Sequence, residues 1–178
     1  MARHSRAGSG YAARMLDEAD LPHLRRCVEL AAEALAAGDE PYGSVLVAGD
    51  GTVLAEDRNR TAGGDQTRHP EFELARWAAE HLAPEDRPAA TVYTSGEHCP
   101  MCAAAHAWVG LGRIAYVTSS RQIAQWREEF GVPAPPVTGL PASDIAPGVT
   151  VDGPEPSLVP DVRALFVRMH GGELDRPS

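Results

Sequence analysis

Apolar residues recur at helical spacing from Leu21 to Ala37, at Leu24, Cys27, Val28, Leu30, Ala31, Ala34 and Leu35, and Gly38 follows as a natural helix stop. The period then changes. Ser44–Ala48 and Thr52–Glu56 are short strand-like runs flanking Gly49-Asp50-Gly51, which predicts a hairpin. Polar and Gly-rich residues 58–68 predict a loop, and Glu71–Leu82 resumes helical spacing through Phe72, Leu74, Ala75, Trp77, Ala78 and Leu82. Prolines at 84 and 88 interrupt the chain before Ala90–Ser95, a third strand. Cys99–Trp108 predicts a helix stopping near Gly110 or Gly112, Arg113–Thr118 a fourth strand, and Arg121–Phe130 a further helix. Dense prolines between Gly131 and Gly148 predict surface coil; Val149–Val151 predicts a fifth strand and Val159–His170 a terminal helix. This alternation predicts an α/β fold, a three-layer α/β/α sandwich with a five-stranded mixed sheet whose later strands run parallel.

Composition narrows the class. At 178 residues and 43% apolar content the chain suits one domain with a sizeable core. We expect residues 1–20 to be a flexible leader and 21–178 a single domain with a Pro-rich extension from about 131. No run approaches the ~18 apolar residues of a membrane span, and no hydrophobic stretch follows the small, basic N-terminus as in a signal peptide. A cytoplasmic protein is expected. The formal charge of −9 gives no electrostatic reason to expect nucleic-acid binding. All 16 basic residues are Arg, so mechanisms that need a lysine (Schiff base, pyridoxal, P-loop) are excluded. Of the three cysteines, Cys27 falls in an apolar helical stretch as a small hydrophobe, while Cys99 and Cys102 form a C-x-x-C pair.

Chemistry concentrates in His69-Pro70-Glu71 and, 27 residues further on, Cys99-Pro100-Met101-Cys102. One His, two Cys and a carboxylate not needed as a ligand describe an open zinc site, in which three protein donors leave the fourth position free. Both clusters open predicted helices, whose N-termini favour thiolate over thiol. Cys99 and Cys102 are three apart, so both sulfurs can face one point. Zinc lowers the pKa of a bound water to about 7, and Glu71 can move that water's proton to a ring nitrogen. The competing reading is a closed structural zinc site in a binding module, with Glu71, His98 or His106 as fourth ligand.

At these residues the chain resembles the cytidine deaminase-like superfamily, whose base deaminases carry H-x-E with P-C-x-x-C. Within it the resemblance is closest to the free-base and tRNA-adenosine branch, and it covers about residues 21–118. Pro41-Tyr42-Gly43-Ser44 looks like the Pro-Phe-Gly-Ala of guanine deaminases, Arg58-Asn59-Arg60 like the segment whose Asn contacts the base, and Ser95 to Cys102 like Glu-Pro-Cys-Pro-Met-Cys. Trp108 falls where guanine deaminases carry a Trp. The resemblance implies Zn2+ held by His69, Cys99 and Cys102, Glu71 as proton shuttle, and base contact by Asn59; beside it, Tyr42 is expected as a wall stacking on a planar ring, and Pro70, Trp108, Glu73 and His98 as further pocket residues. It implies hydrolytic deamination of a small heterocyclic base with water as co-substrate, guanine first. Cytosine or a nucleoside is the alternative, then tRNA adenosine, and a homodimer is expected. Two departures stand out. Pro70 replaces the usual Ala or Gly and removes a backbone donor, and His98 stands where the family has Pro.

Overall fold

The computed structural model describes residues 16–171. Its elements, in order, are α1 (Leu21–Ala36), β1 (Gly43–Val47), β2 (Val53–Arg58), α2 (Pro70–His81), β3 (Thr91–Gly96), α3 (Pro100–Val109), β4 (Arg113–Thr118), α4 (Ser120–Glu129), α5 (Ala142–Ile145), β5 (Val151–Asp152) and α6 (Val159–His170). The five strands form one mixed sheet in the order β2-β1-β3-β4-β5. β1 is antiparallel to both β2 and β3, whereas β3, β4 and β5 run parallel. The expected architecture is therefore present, with one addition. Prolines were expected to leave residues 131–148 as coil, but Ala142–Ile145 forms a single helical turn whose Ala142 packs with Ala103, Ile114 and Tyr116.

Strand alternation sorts the core onto the sheet's two faces. Val45, Val47 and Tyr93 pack with Leu24, Cys27 and Leu30 of α1, Trp126 of α4, and Val162 and Phe166 of α6. Leu46 and Val92 face the other way, onto Leu74, Ala75 and Ala78 of α2. Ser44 and Thr94 share the parity of Leu46 and Val92, so two hydroxyls lie on the α2 face, directly opposite each other in the β1–β3 register. Close approach of β1 to α1 depends on Gly43. A Cβ there would stand 2.6 Å from the Cys27 carbonyl oxygen and 2.7 Å from the Ala31 nitrogen.

The leader expected to run to residue 20 is anchored before that point. Leu16 packs against the α1-side core, and Asp20 is buried in an ion pair with Arg113. Residues 1–15 of that expected leader lie outside the described residues. Among the described residues no helix is long and apolar enough to cross a membrane.

Candidate active site

α2 and α3 start alike. Each has Pro at its first helical position, where the missing N–H costs no hydrogen bond. Each is preceded by an extended residue, His69 before α2 and Cys99 before α3. The two prolines thus end the loops just after a donor and turn both helix N-termini toward one spot. Glu71 follows in the first turn of α2 and Cys102 in the first turn of α3.

The His69 Nδ1 lies 3.6 Å from Cys99 Sγ and 3.7 Å from Cys102 Sγ, and the two sulfurs are 3.5 Å apart. Tetrahedral zinc with Zn–S of about 2.3 Å and Zn–N of about 2.0–2.1 Å requires S···S near ~3.8 Å and S···N near ~3.6 Å. The triangle meets that requirement within a few tenths of an ångström, and the donor types are those zinc prefers. The residues fit the ion. No fourth protein donor closes the set: among the described residues the cluster able to hold a metal is His69, Cys99 and Cys102. The closed structural site, with His106 as fourth ligand, is not what the chain builds. His106 instead places Nε2 3.1 Å from the Gly112 carbonyl oxygen.

Charge in the cluster is arranged to suit a cation. The Cys102 sulfur and the His69 ring, in contact with Cys99, together outweigh burial and hold the Cys99 thiol down at about 4. Cys102 is pushed well up by that same Cys99 neighbour and by burial. Burial works against a charged His69, yet the Cys99 sulfur and the Glu71 carboxylate lift its pKa to about 9. Glu71 itself is pushed up, chiefly by burial.

Glu71 is 5% exposed, and its two oxygens have different surroundings. Oε1 accepts a hydrogen bond of 2.7 Å from the Thr94 hydroxyl and lies 3.2 Å from Ser44 Oγ. Oε2 lies 3.7 Å from Cys102 Sγ, beside the donor triangle. Neither Ser44 nor Thr94 was singled out from sequence for this contact. The signal available was Ser44 itself, which stands where the resembling motif has Ala.

The remaining expected pocket residues divide. Asn59 is fully buried; its Oδ1 accepts from the Thr61 N–H at 3.0 Å and the Thr61 hydroxyl at 2.7 Å, while Nδ2 has no partner. Tyr42 packs edge-on against Phe166, 5.8 Å between ring centroids, and its ring sits over Gly96. Pro70 is buried at the start of α2. His98 is also fully buried, edge-on to His106 at 5.3 Å, with both ring nitrogens unpartnered. Trp108 and Glu73, by contrast, are not brought to the donors. Six residues separate Cys102 from Trp108, which turns the indole to another face of α3; it is 90% exposed in a groove of about 540 Å³ lined by Ala104, Leu111, Ile145 and Val149. Glu73 is two residues from Glu71, so it projects from the opposite side of α2, into a groove with Glu56, Asp57, Trp77 and Glu80.

Comparison with known proteins agrees with this geometry. A probable cytosine deaminase of Schizosaccharomyces pombe is 30% identical over 116 residues, covering 65% of this chain and 70% of that protein. Guanine deaminase of Bacillus subtilis is 36% identical over 104 residues, 57% of this chain and 66% of the enzyme. A solved structure of guanine deaminase from that organism superposes with a TM-score of 0.54 at 28% identity, covering 74% of this chain and 91% of that one. A tRNA-specific adenosine deaminase of Agrobacterium fabrum is 43% identical over 88 residues, 47% of this chain and 57% of its own length. The model for the cytidine and deoxycytidylate deaminase zinc-binding region matches residues 17–118, which include all three donors and Glu71. With more than half its length in that match and a zinc-shaped donor set inside it, the chain belongs to the cytidine and deoxycytidylate deaminase family.

Proposed function

We propose that this protein hydrolyses the exocyclic amino group of a free nucleobase, with guanine, converted by water to xanthine and ammonia, as the leading substrate. The observation that carries the reading is the three-donor triangle with a carboxylate oxygen beside it and, among the described residues, no fourth protein ligand. Bound zinc supplies Lewis acidity and lowers the pKa of a coordinated water to about 7. Glu71 Oε2 takes one proton from the attacking water and passes it to the ring nitrogen next to the reacting carbon; it then takes the remaining hydroxyl proton and gives it to the amino group, which leaves as ammonia while the carbonyl forms. Asn59 holds the base. Its carbonyl is occupied by Thr61 and its amide N–H groups have no partner, so they call for an acceptor atom on the ring edge. Tyr42 forms part of the wall over the site.

Likeness to guanine deaminase supports a purine, and Pro70 counts against simple cytosine specificity. It cannot supply the backbone N–H that, by the resemblance, meets the 2-oxo group of cytosine. The net charge of −9 counts against a tRNA substrate. The test is ammonia release by zinc-loaded protein from guanine, cytosine, adenine and their nucleosides. Guanine should give the highest kcat/KM. Preference for cytosine would replace the substrate assignment, and no ammonia from any base would overturn the deaminase reading.

A further inference from the structure

We infer that Ser44 and Thr94 form a positioning pair that gives the two oxygens of Glu71 different jobs, a role resting on the proposed deaminase reading. Ser44 Oγ lies 2.9 Å from Thr94 Oγ1 and 3.2 Å from Glu71 Oε1, and Thr94 Oγ1 lies 2.7 Å from Glu71 Oε1. Each hydroxyl has one proton to donate. The two short contacts use them in one direction: Ser44 donates to Thr94, and Thr94 donates to Oε1. Ser44 Oγ is also within hydrogen-bond reach of Oε1, so the two hydroxyls converge on that one oxygen.

Both hydroxyl residues are 0% exposed, so neither side chain has bulk water as an alternative partner. Leaving a buried hydroxyl without a hydrogen bond is costly, which makes the arrangement specific. Hydrogen bonds in such a chain also polarise one another. Sheet register places the pair: Ser44 and Thr94 are cross-strand partners in β1–β3, on the face that meets the first turn of α2. Leu46 and Val92, the next residues of the same parity, fill the equivalent positions with hydrocarbon. The strands thus change from apolar to hydroxyl where Glu71 arrives. With Oε1 anchored, Oε2 is left beside the donor triangle, 3.7 Å from Cys102 Sγ, as the oxygen that carries the proton.

Three variants of the zinc-loaded protein test this: Thr94→Val, which keeps the shape and removes the hydroxyl; Thr94→Ser, which keeps the hydroxyl; and Ser44→Ala. Thr94→Val should keep full zinc content and a KM within about twofold, while kcat falls roughly 10- to 100-fold, the scale of a misplaced catalytic group. Thr94→Ser should restore kcat to within about threefold. Because Ser44 also reaches Oε1 directly, adding Ser44→Ala to Thr94→Val removes the last hydroxyl donor to that oxygen and should lower kcat further. A readout independent of turnover comes from crystal structures of the zinc-loaded proteins. Glu71 should occupy one orientation in wild type and Thr94→Ser, and a shifted or split one in Thr94→Val. Wild-type kcat with an unmoved Glu71 in Thr94→Val would overturn the inference, as would a double variant no slower than Thr94→Val alone. If wild-type protein turned over no base, the deaminase reading would fail, and the Glu71 orientation would still decide this one.

Discussion

Among single residues, Glu71 bears the largest chemical demand, and its substitution separates ligand from proton carrier. Glu71→Gln keeps size and keeps Oε1 for the Thr94 hydrogen bond, but an amide cannot take up a proton near neutral pH. Ammonia release should therefore fall by 10²–10⁴-fold or more, the usual range for a general acid–base group, with one zinc per chain retained by metal analysis. Loss of zinc would instead make Glu71 a ligand. His69, Glu71, Cys99 and Cys102 were legible in sequence because each cluster is short, begins a helix, and pairs donor types with spacings that chemistry restricts. Ser44 and Thr94 were not, since their meeting depends on a strand register between residues 50 apart. Trp108 was assigned by motif position and Glu73 as a second carboxylate beside Glu71, and helix phase turns both to other faces, into grooves whose linings include none of the three donors.

Elements were read with their type correct and their ends off by a residue or two. The shifts have physical sources. Pro70 belongs inside α2 rather than before it, because a first-turn proline loses no hydrogen bond, and Cys99 stands extended just before α3 rather than opening it. α4 begins one residue early, at Ser120, since Ser119 and Gln122 form a reciprocal capping box. The α5 turn was hidden by neighbouring prolines. It is fixed by a distant partner: Glu97 accepts from the backbone N–H of Ala142 at 2.8 Å and from that of Ser120 at 2.8 Å, tying α4 and α5 to the loop that carries Cys99. The β1–α1 contact yields a test at this scale. Gly43→Ala places a methyl 2.6 Å from the Cys27 carbonyl oxygen, so β1 must move off α1. Overpacking of this kind costs about 1–3 kcal/mol, which for a domain of this size lowers Tm by roughly 2–10 °C. Thermal unfolding of the variant without a fall in Tm would show that the helix gives way freely.

For the whole molecule, the feature that spans most of the sequence is a buried charge network at one end of the sheet. Arg113 of β4 grips Asp20, just before α1, with two hydrogen bonds of 2.6 and 2.9 Å, and donates to Asp152 of β5 at 2.6 Å. The Tyr93 hydroxyl of β3 donates to the same Asp20 carboxylate at 2.8 Å. The start of α1 is thereby bound to three strands, the last of them β5. Burial alone would raise the Asp20 pKa, but Arg113, the Asp17 N–H and Tyr93 together lower it from 3.8 to about 2. A carboxyl whose folded pKa is depressed stabilises the fold above its unfolded pKa, and that stability disappears as pH falls through the folded value. Between about pH 4 and pH 2 the wild-type protein should lose about 2 kcal/mol from this group alone. Asp20→Asn has no such proton to bind. It should be less stable than wild type at pH 7, because Arg113 keeps only Asp152, and the gap should narrow by about 2 kcal/mol on acidification. Urea unfolding of both proteins, zinc removed from each by chelator, measures the gap at each pH. A gap that stays constant from pH 6 to pH 2 would mean the network does not depress Asp20, and that the link between α1 and the sheet is held by apolar packing instead.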